Sequence, residues 1–221
     1  MPISERQIKN AIHSGISTAN RKYEKWSKGC WVTDSGVEGL MTAEIAEAIN
    51  KKQSKGESLQ MELAFKYIDE FSTANNVSGS KPKALNKKNR SDIVLFDVDY
   101  RPTCVIEVKR SWVSDACRTD LQRICALIDR YSSRRKGTLE RGYLAMLIVK
   151  KKMRYKTEVE RIDEHIEKIK KLVKSEFSNN TRRVSFQRGD PDRLPPRYQQ
   201  NDEDWQAASF LIQISNRSQQ R

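Results

Sequence analysis

Asp92 is followed, fourteen intervening residues later, by Glu107-Val108-Lys109, so that an amine stands two residues beyond the second of two acids. Carboxylates are hard oxygen ligands suited to a divalent cation, and lysine is a compact positive charge on a flexible stem. Both acids lie in or beside apolar runs, Ile93-Val94-Leu95-Phe96-Asp97-Val98 and Thr103-Cys104-Val105-Ile106-Glu107-Val108. An isolated carboxylate is costly to bury, and a bound divalent ion would compensate it. An ordinary ion pair between Asp92 and Lys109 at a solvated sheet edge would also account for these residues.

The two runs flank Asp99-Tyr100-Arg101-Pro102 and read as a β-hairpin. With those four residues as the loop, Val98 opposes Thr103, Val94 opposes Glu107 and Asp92 opposes Lys109, all on one face. Asp92 and Glu107 are then diagonal neighbours, about 7–8 Å apart along the backbone, close enough for extended carboxylates to share a cation. Ile93, Leu95, Ile106 and Val108 face the other side, where helices could cover them.

Around this hairpin the apolar spacing predicts alternating helices and strands. Ile8, Ile12, Ile16, Ala19, Tyr23 and Trp26 mark a helix over 5–26, with Ser4 and Gln7 at capping-box spacing and Ile3 and Ile8 at staple spacing. A shorter helix runs through Met41 to Asn50, with Ile45 and Ile49 inward. Leu59, Met61, Leu63, Phe65 and Tyr67 alternate with more polar residues and predict a strand. From Ser72 to Ser91 the chain has no acid but carries Lys81, Lys83, Lys87, Lys88 and Arg90, a basic loop that could grip a phosphate backbone. Leu121, Ile124, Cys125, Ile128 and Tyr131 predict a helix, and 142–149 a buried strand. A long amphipathic helix over 158–177 follows, then Val184-Ser185-Phe186, a proline-rich connection at Pro191, Pro195 and Pro196, and a strand over 208–214.

Asp92, the fourteen-residue interval and Glu107-Val108-Lys109 resemble the signature of the PD-(D/E)xK superfamily. The order helix, three strands, helix, strand resembles its restriction-endonuclease-like core over roughly Glu38 to Lys150. Ser91 stands where the family's name has proline. The resemblance implies an α/β fold with a central mixed sheet flanked by helices. It also implies a phosphodiesterase that uses magnesium, with manganese as a substitute, held by Asp92 and Glu107, with Lys109 orienting water or stabilising charge. Family members often add a carboxylate from the first core helix, for which Glu38 is preferred here over Glu62, with Glu57 behind them. Ser35 and Glu38 also have capping-box spacing, and Glu62 also fits a solvent-facing strand residue. The helix after the motif often contributes a polar residue; Asp120, Gln122 and Arg123 are available, and a hydrated helix face would equally explain them.

The chain of 221 residues carries 42 basic and 29 acidic side chains, a formal charge of +13, which favours a polyanionic partner. Nucleic acid, DNA before RNA, is the leading expectation. A catalytically inactive nucleic-acid-binding protein on the same fold is the main alternative, and a partner-binding protein built around the long helix a third. The expected organisation is an N-terminal helical extension over 1–34, a nuclease core over 35–150, and C-terminal elements over 151–221 that pack on it. Cys30, Cys104, Cys117 and Cys125 form no CxxC pair and the two histidines, His13 and His165, lie far from them, so neither a zinc finger nor a disulfide scaffold is indicated. No apolar run is long enough for a membrane span and no signal-peptide core is present, which leads to the expectation of a cytoplasmic protein. Cutting both strands of a duplex needs two active sites, so a homodimer is expected.

Overall fold

Strands that are apolar on both faces require cover on both sides, and the chain supplies it with two helical layers. The structure is a computed structural model that describes residues 2–72, 82–86, 89–133, 137–189 and 205–217. Lys81, Lys87, Lys88, Pro191, Pro195 and Pro196 lie outside the described residues.

The elements are α1 (Glu5–Ser27), α2 (Val32–Ser35), α3 (Glu38–Asn50), β1 (Ser58–Ala64), α4 (Phe65–Phe71), β2 (Arg90–Phe96), β3 (Pro102–Lys109), α5 (Ser114–Tyr131), β4 (Arg141–Lys151), α6 (Glu158–Phe177), β5 (Arg182–Arg188) and β6 (Trp205–Asn216). A short 3-10 turn at Lys83–Leu85 precedes β2. The strands form one mixed sheet in the order β1-β2-β3-β4-β6-β5. Only β3 and β4 run parallel among the described pairs, joined by α5 as the crossover that a parallel pair needs.

One face of the sheet is covered by α1 and α3. Ile8, Ile12 and Ile16 of α1 and Ile45 and Ile49 of α3 pack with Ile93, Leu95, Ile106 and Val108. Gly15 marks the close approach of the two helices, since a Cβ there would lie 2.5 Å from Cα of Ile45. His13 of α1 lies 2.7 Å from Oγ of Ser209 on β6, through Nδ1. The other face is covered by α5 and α6, whose Leu121, Ile124, Ile162, Ile166 and Ile169 pack with Val94, Val105, Leu144 and Met146. The start of α6 is a capping box between Thr157 and Glu160. No helix among the described residues is long and apolar enough to cross a membrane.

Three expectations are corrected. The alternation from Leu59 to Tyr67 is a strand only as far as Ala64, after which Phe65, Ile68 and Phe71 form the inward side of α4 at helical spacing. The hairpin loop runs from Asp97 to Arg101, because the Asp97 carboxylate accepts from the backbone N–H groups of Asp99 and Arg101 and from the Arg101 guanidinium. Phe96 consequently pairs with Pro102, and Val94 meets Val105 instead of Glu107. The register is displaced by two residues, which preserves faces because side chains alternate with period two.

Candidate active site

One step beyond the pair Ile93 and Ile106, this register sets Asp92 across from Glu107 as a direct neighbour rather than a diagonal one. The Asp92 carboxylate takes the place of backbone pairing there, accepting the N–H of Val108 through Oδ2 at 2.6 Å. Glu107 is only 1% exposed, and its Oε1 accepts from the hydroxyl of Ser91 at 3.0 Å.

Consecutive residues of a regular strand point to opposite faces, yet Ser91 and Asp92 both bond to β3. The cause is a local irregularity at the edge of the sheet. The register of β1 with β2 passes from Met61 and Ile93 to Leu63 and Ser91, skipping Glu62 and Asp92, and Glu62 has a left-handed backbone with φ of 53°. Leu59 accordingly packs towards α1 and α3, whereas Leu63 packs towards α5, although regular alternation would put both on one face.

Lys109 stands at the end of β3 between two acids, with Nζ 3.2 Å from Oε1 of Glu38 and 3.1 Å from Oδ2 of Asp120. Asp120 is buried and also meets the Arg123 guanidinium at 2.7 Å. Glu38 is the first residue of α3, whose N-cap is Val37 with no side-chain cap bond. Ser35 and Glu38 therefore do not occupy the positions of a capping box, and the alternative reading of Glu38 as a cap residue is set aside. The Arg110 guanidinium donates to the carbonyl of Gly36 at 2.8 Å, tying the end of β3 to the chain that leads into α3.

The electrostatics of this group are strongly coupled. Burial, followed by the charges of Glu38 and Glu62, lifts the Asp92 carboxyl from 3.8 to about 6, against the opposing Val108 N–H and Lys109. Burial, then Asp92 and Asp120, pushes Glu107 well above the usual carboxylate range. Burial alone would lower the pKa of Lys109, but Asp120, Glu38 and Asp92 prevail and raise it. Glu38, Asp92, Glu107 and Asp120 thus gather around Lys109, with Arg123 on Asp120 and Glu62 beside Asp92, at one end of a chain whose formal charge is +13.

Of the other candidates, Glu62 adjoins the site and the rest fall elsewhere. Glu62 is exposed, beside Asp92. Glu57 accepts from the N–H groups of Ile3 and Ser54 and serves the turn before β1. Gln122 is exposed and borders a shallow cavity of about 380 Å³ with Pro82, Asp129, Glu176 and Arg182, away from Lys109. Lys83 and Arg90 are exposed on the approach to β2. Ser91 was not among the sequence candidates, because alternation places it on the far side of the sheet.

Comparison with protein-family models, with curated proteins and with solved structures gives no match for this chain. The donor set itself can still be tested against a divalent cation. Each of Asp92 and Glu107 has one oxygen held by the chain, through Val108 and Ser91, and a second oxygen in the same acid-rich cluster. Both resist ionisation chiefly because they are buried and then because other acids lie beside them, and a hard cation would offset both costs. The residues therefore fit such an ion. Among the described residues no three acids, histidines or cysteines already meet as a ready-made cage, so Glu38 or Glu62 would complete one only by moving a side chain.

Proposed function

We propose that the chain is a metal-dependent nuclease of the PD-(D/E)xK, restriction-endonuclease-like kind, hydrolysing phosphodiester bonds with DNA as the favoured substrate. The observation that carries this reading is the convergence of Asp92, Glu107 and Lys109 at one end of adjoining strands, in an acidic cluster on a chain of net charge +13. The positive charge of the chain attracts the polyanion, and the acidic cluster requires a cation before a phosphate can approach it.

Asp92 and Glu107 would hold magnesium, with manganese as a substitute, and Glu38 and Glu62 are the next acids in reach. When bound, the ion supplies a more acidic water and neutralises charge at the phosphorus centre. Lys109 keeps its proton, because its acidic neighbours raise its pKa, and so acts as a donor and fixed positive charge rather than as a general base. Asp120 and Glu38 restrict where its ammonium group can go, and Ser91 fixes Oε1 of Glu107. A two-fold pair of subunits would present two such centres to a duplex.

The test is cleavage of plasmid, linear duplex, single-stranded DNA and RNA, each with magnesium or with chelator, by the parent protein and by Glu107→Ala and Lys109→Ala. Metal-dependent cleavage should vanish in both variants, and full retention by either removes the assignment. The ion pairs of Lys109 with Glu38 and Asp120 also suit a closed structural network in a protein that binds nucleic acid without cutting it. Binding without cleavage across the whole panel would decide for that second reading.

A further inference from the structure

Strand β4 continues well past the candidate site. Lys109 stands beside Met146 in the parallel ladder, and β4 goes on from there to Lys151, about 16 Å further at about 3.3 Å per residue. Because β3 and β4 run parallel, this extension, still paired with β6 as far as Lys151 and Trp205, runs past the end of β3 that carries Glu107 and Lys109. Lys150 alternates with Met146 and Ile148, which pack on the α5 and α6 side, so it lies on the face towards which Val105 and Glu107 alternate.

Beyond β4 a tight turn closes through the reciprocal backbone bonds of Met153 and Lys156, and α6 begins at Glu158. Residues 150–157 contain five basic side chains and no acid. Tyr155 is 83% exposed, the most exposed large apolar side chain among the described residues, and its neighbour Met153 is 54% exposed. The Arg154 guanidinium lies 5.2 Å from the Tyr155 ring centre. Arg161 of α6 donates to the carbonyl of Lys151 at 2.6 Å and pins the arm to the helix.

Positive charge accumulates at this junction. Burial and the charges of Arg161 and Lys168 lower the pKa of Lys150, and burial with Lys150 and Lys168 lowers that of His165. Of the nearby acids, Asp163 pairs with Arg188 away from the arm, and Glu164 pairs with Lys156 at the end of it. An exposed aromatic ring on a segment with five basic residues matches what a nucleic-acid strand needs: charges for its phosphates and a flat face for a base.

We propose that the arm from Lys150 to Lys156, backed by Arg161 and Lys168, is a binding track for single-stranded nucleic acid, in which Tyr155 stacks on a base and the cations follow the backbone. The inference deepens the nuclease reading by naming the strand form that reaches the site, and it rests on nucleic acid being the substrate. The distance from Met146 to the arm is about that of five stacked nucleotides at about 3.4 Å each. A duplex keeps its bases paired and offers Tyr155 only the backbone, which is why the single strand is the better fit.

The experiment measures binding of a labelled single strand and of the corresponding duplex to the full chain in chelator, where no cutting occurs. The proteins are the parent, Tyr155→Ala, Arg154→Ala with Lys168→Ala, and Arg21→Ala on the exposed side of α1 as control. Tyr155→Ala is expected to weaken single-strand binding about tenfold and duplex binding less. The double variant is expected to reduce the slope of log affinity against log salt by about 1.4 for the single strand. Unchanged single-strand binding in both variants overturns the proposal. So do equal losses for single strand and duplex, or an arm-dependent affinity for anionic lipid vesicles and none for nucleic acid. The same proteins are then assayed with magnesium. Cleavage by the parent with no effect of the arm variants on binding sinks the arm and leaves the nuclease standing, whereas arm-dependent binding without any cleavage does the reverse.

Discussion

The hydroxyl of Ser91 donates to Oε1 of Glu107 across the boundary of β2 and β3, at 3.0 Å. It is one of two influences, with Lys109, that oppose the upward push of burial on this carboxyl. Hydrogen bonds to charged groups contribute about 1.5–3 kcal/mol. Ser91→Ala should therefore weaken magnesium binding about tenfold or more near neutral pH and move the acidic limb of the cleavage profile to higher pH. Ser91→Thr should restore both. A magnesium titration and a pH profile identical to those of the parent would remove Ser91 from the site.

Lys109 offers a second contrast. Asp120→Ala strips a buried acid from both Lys109 and Arg123, and breaking a buried pair in this way costs about 3–5 kcal/mol. Denaturant unfolding should register that loss. Gln122→Ala, two residues along the same helix and exposed, should change neither stability nor cleavage beyond about 0.5 kcal/mol. Lys109→Met should abolish cleavage and, because Asp120 keeps Arg123 as a partner, should cost less stability than Asp120→Ala.

The raised carboxyls have a pH signature in the metal-free protein. The folded-state value of Asp92 lies near 6 against 3.8 for the free group. Its contribution to stability is thus fully present below 3.8 and is lost as pH rises through about 6. The difference corresponds to about 3 kcal/mol at most, and Glu107 acts in the same direction. In chelator this site should thus lower the melting temperature as pH is raised from about 5 to about 8, and magnesium should restore it increasingly over the same range. Asp92→Asn should flatten both trends, and a magnesium effect that is equal at both ends of the range would contradict the account.

The hairpin loop gives the opposite sign. Burial pushes Asp97 up, but the Arg101 N–H and guanidinium prevail and hold it below its ordinary value. Its stabilising contribution is present above 3.8 and is lost as pH falls through the depressed value. Asp97→Ala should cost about 1–2 kcal/mol at neutral pH and leave magnesium affinity unchanged. A variant that loses the metal instead would show that the loop, and not the site, sets the spacing of the acids.

Much of this arrangement was legible because helix and strand periods are strong signals where the apolar residues are large and regularly spaced. Ile162, Ile166, Ile169 and Val173 place α6, and Ser4 with Gln7 places the start of α1. The hairpin register was off by two because the loop depends on which aspartate folds over it, Asp97 rather than Asp99, and composition does not distinguish them. Parity survived the error, so Asp92 and Glu107 still meet. Asp120 and Gln122 were equal candidates on paper; they separate because residues two apart on a helix face different ways. Ser91 was hidden by an irregularity whose cause, the left-handed backbone at Glu62, has no signature in a glutamate. The basic arm after β4 was hidden by its place at the end of an apolar strand, where its lysines read as a terminus.

The kink at Glu62 reaches further than the site it adjoins. Strand β1 is one margin of the sheet, and an untwisted margin is a template on which another chain can add a strand. Here that template is interrupted midway, and on β5, the opposite margin among the described residues, Arg182 and Arg188 are engaged with Asp129 and Asp163. A strand laid along β1 would meet that interruption before it could span the edge, so the feature that draws Ser91 and Asp92 to β3 also blunts the margin beside them.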